Sequence, residues 1–335
     1  MAIFSKELAI DLGTANTVVY LKGKGIVLRE PSIIAINTAK KIVAVGNEAK
    51  LMAGRAPFEI NISQPIRDGV IADFDTTELM LDYFISKAGG KRGIFRPTLL
   101  VGIPCGITQV EKKAVIEAAI RAGARQAFTI NEPMAAAIGA GLPIAEPRGS
   151  MIVDIGGGTA EVAVISLRGI VVVRSTRIAG NEMTEAIVTF LKRQYSLFVG
   201  ETSAEQVKMK LGSAYPLDKE EKMEVRGRDL IDGLPKSIVI SSEEVRKALQ
   251  PVLEEILDTI KATLEITPPE LAADIIDRGI MLSGGGSLLR NIDKFISQRT
   301  GMLVNIAEDP LSAVAIGAGK ALEDLDFFKE AISTS

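Results

Sequence analysis

An internal repeat constrains this chain more than any other feature. Asp11-Leu-Gly-Thr-Ala-Asn-Thr-Val-Val matches Asp154-Ile-Gly-Gly-Gly-Thr-Ala-Glu-Val without a gap. In each copy Asp-(Leu/Ile)-Gly closes an apolar strand and a β-rich segment follows. A second pair occurs in the same order. Glu132-Pro-Met-Ala-Ala-Ala-Ile-Gly-Ala-Gly resembles Asp309-Pro-Leu-Ser-Ala-Val-Ala-Ile-Gly-Ala-Gly, with one extra residue in the later copy. Both place an acid and a proline at an expected helix start. The Ala and Gly face that follows lets two helices approach closely. Two pairs in one order predict a duplicated domain: two related halves across a cleft, with one Asp-containing turn from each.

Apolar strand-like runs alternate with helical patterns, which predicts an α/β fold. Leu8–Asp11, Val18–Leu21 and Ile26–Leu28 read as strands joined by tight turns, and Leu99–Ile103 as a strand buried on both faces. Thr108 with Glu111, and Ser241 with Glu244, form capping boxes that start helices. Gly123 is a C-terminal stop for the first of these, and Pro251 is expected to kink the second. Thr267, Pro268 and Glu270 mark a third helix start, with proline at its first position.

Composition excludes several chemistries. The 335 residues include no histidine, so there is no Ser-His-Asp triad and no histidine metal site. The single cysteine, Cys105, can form no internal disulfide, which suits a reducing compartment. A net charge of −3 and 4% aromatics argue against nucleic acid as a partner. No signal peptide and no run of about 20 apolar residues is found, so a cytoplasmic protein is expected.

The Asp-x-Gly turns carry the chemistry. Glycines let a backbone come close to a ligand and adopt positive φ, and exposed N–H groups form a nest for phosphate. Thr14, Ala15 and Asn16 form the first turn; Gly156, Gly157, Gly158 and Thr159 form the second. Either turn alone would favour an ordinary hairpin. Asp11 and Asp154 beside them add two carboxylates that hydrated Mg²⁺ could bridge to phosphate. The P-loop pattern is absent. A third Gly-rich element, Leu282-Ser-Gly-Gly-Gly-Ser-Leu-Leu, reads as strand, loop and helix. It suits a nucleotide, or a plain connection.

Four segments together carry a family resemblance: Ile10-Asp-Leu-Gly-Thr-Ala-Asn-Thr, Asn131-Glu-Pro-Met-Ala-Ala-Ala-Ile-Gly, Val153-Asp-Ile-Gly-Gly-Gly-Thr and Leu282-Ser-Gly-Gly-Gly-Ser-Leu-Leu. They resemble the actin, sugar kinase and heat-shock chaperone ATPase superfamily. Arg67-Asp-Gly-Val-Ile-Ala-Asp, Gly102-Ile-Pro-x-Gly-Ile-Thr, Arg177-Ile-Ala-Gly-Asn-Glu-Met and Thr267-Pro-Pro-Glu-Leu are similar to the bacterial actins of the MreB family. The resemblance runs from about Leu8 to Leu322. One departure is visible: Ala160 stands where the family usually has a second Thr, so that hydroxyl's role has no carrier here.

The resemblance implies an actin-like ATPase fold: two related α/β domains around a nucleotide cleft, each with a smaller subdomain. Subdomain IA would take 1–31, 67–144 and 310–335, IB 32–66, IIA 145–180 and 242–309, and IIB 181–241. It implies Mg²⁺-ATP, with the first turn on the β- and γ-phosphates and the second closing from the other side. Glu205, Gln206, Val207 and Lys208 would flank ribose and adenine, though Glu205 and Lys208 also read as a solvated pair on one helix face. Gly284, Gly285, Gly286, Ser287 and Leu288 would border the adenosine. Glu132 would orient or deprotonate the attacking water, with Thr159 holding it; an acid at a helix start is also simply stabilised by the helix dipole. Phosphoryl transfer needs positioning and charge neutralisation, so a missing histidine is no obstacle.

The implied function is an ATP-hydrolysing protein that forms membrane-associated homopolymers and organises cell shape and cell-wall synthesis, with membrane proteins of that machinery as partners. The alternatives on the same fold are a small-molecule kinase or a chaperone-type ATPase. The first needs an acceptor pocket with an Asp base, which no segment supplies. The second would carry a β-rich substrate domain after the core, where only a few residues follow Leu322. In the loop Gly89-Gly-Lys-Arg-Gly-Ile-Phe-Arg-Pro, Ile94 and Phe95 are either tucked into the core or exposed for a partner. The resemblance favours insertion into an anionic membrane surface, flanked by Lys91, Arg92 and Arg96, with Ile3 and Phe4 as a second anchor. Location is then cytoplasmic, peripheral at the inner face of the cell membrane.

Overall fold

The computed structural model describes residues 6–89 and 96–333. Two mixed sheets organise it. The first has six strands in the order Ile332–Ser333, Gln126–Asn131, Thr98–Ile103, Glu7–Leu12, Asn16–Leu21, Gly25–Pro31. The second has five, in the order Gly169–Thr176, Ala160–Ser166, Ser150–Ile155, Ile280–Ser283, Val304–Ile306. The halves repeat one plan. Glu7–Leu12 runs antiparallel to Asn16–Leu21 and parallel to Thr98–Ile103. Ser150–Ile155 likewise runs antiparallel to Ala160–Ser166 and parallel to Ile280–Ser283. Even the register repeats: Asp11 lies opposite Val18, and Asp154 opposite Glu161, the matching positions of the duplicated sequence.

The second repeated pair forms the seam between the halves. Helices Glu132–Gly139 and Ala313–Glu323 pack on each other, their small side chains in a core shared with both sheets. The contact is reciprocal. A Cβ on Gly139 would lie 1.9 Å from the Ala313 carbonyl oxygen, and one on Gly317 would lie 1.8 Å from that of Ala135. Both neighbours are backbone and cannot swing aside. Gly317→Val is therefore expected to cost on the order of 3 kcal/mol, read as a lowered thermal midpoint, whereas Ala318→Gly should cost much less.

Both capping boxes form, at Thr108 with Glu111 and at Ser241 with Glu244. Gly123 follows the first of these helices at φ 105°. Helix Ser242–Glu265 contains Pro251 on its exposed side. Two expectations shift. Pro268 occupies the cap, and Pro269 the first helical position. Asp309 is not at its helix start: the helix begins at Ala313, and Asp309 sits in the preceding turn and pairs with Arg29.

Each half carries a small lobe. Strands Ile42–Val45, Ile34–Asn37 and Ile60–Ser63 form one sheet, with helix Asn47–Met52 packed on a core of Ile33, Ala35, Ala44 and Ala49. Leu197–Phe198, Lys222–Asp229 and Pro235–Ser241 form the other. Among the described residues, no helix is long and apolar enough to cross a membrane. Ile94, Phe95, Ile3 and Phe4 lie outside the described residues.

Candidate nucleotide cleft

Strand ends deliver the two repeated turns to one place. Glu7–Leu12 ends beside Gly13–Ala15, and Ser150–Ile155 ends beside Gly156–Thr159. The turns face each other at contact distance across the seam. An ideal Cβ on Gly157 would lie 2.6 Å from the Ala15 Cβ, and one on Gly158 would lie 2.8 Å from the Thr14 Oγ1. Close approach, not positive φ, is what demands glycine here, since Gly156, Gly157 and Gly158 are not among the residues at positive φ. The Thr14 Oγ1 accepts the Gly69 N–H at 2.9 Å, which fixes the first turn. Gly156 donates to the Thr159 carbonyl at 2.8 Å and closes the second. Helix Gly180–Tyr195 starts against that turn, with the Asn181 N–H on the Gly157 carbonyl at 2.7 Å.

Between the turns lies a cleft of about 530 Å³. Asp11, Thr14, Ala15, Asn16, Glu132, Asp154, Gly156, Gly157, Gly158 and Thr159 line it together. So do Glu205, Lys208, Gly284, Gly285, Gly286 and Leu288. Gln206, Val207 and Ser287 do not: Gln206 is exposed, and Val207 packs into the core of the second half. At 100° per residue, helix Glu201–Leu211 turns only Glu205 and Lys208 of that run toward the cavity. The Ser287 hydroxyl donates to the Gly284 carbonyl at 2.6 Å and holds the Gly turn in shape. Ala160 is fully buried in the second half's core, so a hydroxyl there would point away from the cleft.

Sequence reasoning missed several lining residues. Met183, Met209, Leu289 and Leu311 give the far end an apolar lining, and Arg290 holds the Lys210 and Gly212 carbonyls beside it. Gly180 and Asn181 lie in a segment that carried the resemblance, the signal that could have found them. Lys50 comes from the opposite small lobe, and no local pattern marks it.

Electrostatics make the floor of the cleft unusual. Glu132 is buried at the start of its helix, and desolvation, then Glu161, Asp11 and Asp154, push its carboxyl well above the ordinary range. Asp11 is pushed to about 8 by burial and by Asp154. Asp154 rises to about 6 through burial, against the Ser283 hydroxyl, which donates to its Oδ1 at 2.6 Å. Glu161 rises to about 8 through burial and, less, through Asp154, against the Cys105 N–H, which donates to its Oε1 at 2.7 Å, and the Ser175 hydroxyl. Buried carboxyls that desolvation and mutual repulsion keep from ionising, all of them hard oxygen, fit a divalent cation that would favour their charged form. Among the described residues, no cluster of three or more His, Cys, Asp or Glu could hold a metal alone. Two carboxylates suit Mg²⁺ that keeps several waters.

The sign of the pH dependence follows. A carboxyl whose folded pKa is raised imposes no penalty below its unfolded value and a growing one as pH climbs toward its folded value. For Glu161 the window runs from 4.5 to about 8. Glu161→Gln is expected to flatten the decline in the ligand-free protein's thermal midpoint across that window. Parallel curves for variant and parent would contradict this.

The fold agrees with the relatives found for this chain. The MreB/Mbl protein family model matches residues 5–330. The cell shape-determining protein MreB of Escherichia coli K12 is 52% identical over 331 residues, covering 97% of this chain and 95% of that protein. MreB 5 of Spiroplasma citri bound to AMPPNP superposes with a TM-score of 0.92 at 37% identity, covering 98% of both chains, and its ADP complex with 0.91. The MamK double helical filament shares the fold at a TM-score of 0.82 and 21% identity, over 96% of this chain and 99% of that one. Agreement of this kind along nearly the entire sequence, in motif, topology and overall shape, means that the chain belongs to the MreB/Mbl family of actin-like proteins.

Proposed function

We propose that this protein binds and hydrolyses Mg²⁺-ATP in the cleft and assembles into linear, membrane-associated homopolymers that organise cell shape and cell-wall synthesis. One observation carries the reading: two duplicated Asp-containing turns meet at contact distance around a cavity of about 530 Å³. Backbone N–H groups of Thr14–Asn16 and Gly156–Thr159 would cradle the phosphates. Asp11 and Asp154 would hold the metal through water. Bound Mg²⁺ supplies charge neutralisation on the phosphate oxygens. Glu132, with its raised pKa and its place in the lining, would take the proton of the attacking water, and Thr159 would orient that water.

Geometry supports assembly. The seam and the cleft join the same two halves, so a nucleotide gripped by both turns fixes their relative orientation. A head-to-tail contact that does not close then propagates as a filament. The small lobes fall within 32–66 and 181–241, and we assign them to subdomains IB and IIB. The remainder splits into IA and IIA, at the boundaries the resemblance implies. Relatives named for cell-shape determination and a related filament support this reading over a kinase or a chaperone. Electron microscopy of the purified protein with Mg²⁺-ATP, with and without anionic liposomes, tests it. Linear polymers are expected, and a protein that stays monomeric at high concentration with lipid present contradicts it.

Membrane attachment would rest on Ile94 and Phe95, with Ile3 and Phe4 as a second anchor and the neighbouring basic residues on anionic headgroups. A short loop binds weakly, and a filament multiplies it through avidity. Ile94→Ser with Phe95→Ser is expected to abolish liposome co-sedimentation and leave ATP binding intact. Retained binding, with Ile3 and Phe4 also replaced, would count against this anchor.

A further inference from the structure

We propose that Lys50 is a nucleotide-retention residue: its ion pair with Glu205 straps the two small lobes together across the rim of the cleft. The inference rests on the reading of the cleft as a nucleotide site. Lys50 Nζ lies 2.9 Å from Glu205 Oε2, and both side chains line the cavity. They are 39% and 31% exposed, which places the pair at the rim, not the floor.

The two residues belong to different bodies. Lys50 sits on helix Asn47–Met52, anchored by Ala49 in the small core of the first half. Glu205 sits on helix Glu201–Leu211, anchored by Ala204, Val207 and Leu211 in the core of the second. The pair therefore reports on, and resists, separation of the lobes. Lys208, the other cation beside Glu205, cannot do this. Its Nζ donates to the Gly180 carbonyl at 2.7 Å and the Thr184 Oγ1 at 2.8 Å, both within its own half.

Glu205 thus stands between a fixed ammonium from its own lobe and a second one that reaches across the cavity. The cross-lobe ammonium holds the carboxylate over the cleft and keeps the rim closed. Lys50 acts through Glu205, so it is a positioning residue. Breaking the strap opens a path for the nucleotide without touching the turns that grip its phosphates.

The test is release of pre-bound radiolabelled ADP with Mg²⁺, chased by excess unlabelled ADP, at a protein concentration too low for assembly. A part-exposed ion pair predicts release ~3-fold faster in Lys50→Ala. With a like charge facing Glu205, Lys50→Glu should release ~10-fold faster. Lys50→Arg should stay within ~2-fold of the parent, because it keeps the charge. High salt should raise the parent's rate toward that of Lys50→Ala and leave Lys50→Ala nearly unchanged. Release from Lys50→Glu at the parent's rate, from a protein that does hold ADP, overturns the strap and leaves the cleft reading standing. A parent that holds no ADP overturns both.

Discussion

Glu132→Ala is expected to bind Mg²⁺-ATP nearly as well as the parent and to release phosphate ~10²- to 10⁴-fold more slowly, the range for loss of a positioned general base. The carboxyl is buried at the start of its helix, and its pKa is raised by burial and by three neighbouring acids. In the proposed reaction a base held there would act on the attacking water. Its removal should appear in kcat with little change in binding. Glu132→Gln keeps the shape and removes the base, so it should fall with Glu132→Ala. Single-turnover phosphate release at saturating ATP separates the outcomes. Hydrolysis at the parent rate in both variants would make Glu132 a helix-start acid and nothing more.

Asp11→Asn and Asp154→Asn are expected to have effects of opposite sign on two properties. Each removes a carboxylate that would hold Mg²⁺ through water, and outer-sphere partners of this kind are worth ~10- to 100-fold in affinity. Mg²⁺-nucleotide binding should weaken accordingly. Yet Asp11 is pushed to about 8 and Asp154 to about 6 chiefly by burial, so above pH 7 the ligand-free fold must either keep Asp11 protonated or carry two desolvated, mutually repelling charges, and both cost stability that the unfolded chain does not lose. Replacing either by its amide should raise the thermal midpoint of the ligand-free protein above pH 7. Calorimetric titration and thermal melts read the two effects separately. Weaker binding with lower ligand-free stability would point to structural damage and not to loss of a metal partner.

Local features were the ones legible in the sequence. The Asp-x-Gly turns, both capping boxes and the Ala/Gly faces each depend on residues a few positions apart, and each forms. The duplication carried this further, because equivalent residues take equivalent places: Gly139 meets Ala313 just as Gly317 meets Ala135. Contacts that join distant segments were not legible. Lys50 and Glu205 carry ordinary surface residue types, and only the closure of the two halves makes them partners. Glu161 reads as one more strand residue until the Cys105 loop from the other half is seen to bind it. Helical phase explains Gln206 and Val207: a run of four cannot all face one cavity. Asp309 shows the limit of repeat logic: its helix begins four residues later, at Ala313, more than the one added residue accounts for, and the acid pairs with Arg29 instead.

Both turns are expected to grip one nucleotide. A crystal structure of the protein with Mg²⁺ and a non-hydrolysable ATP analogue tests it most directly. The predicted result places the β- and γ-phosphates between Thr14–Asn16 and Gly156–Thr159, with the metal's waters on Asp11 and Asp154 and the base toward Met209 and Leu288. Phosphates bound outside the cleft, or held by one turn while the other stands apart, would contradict it.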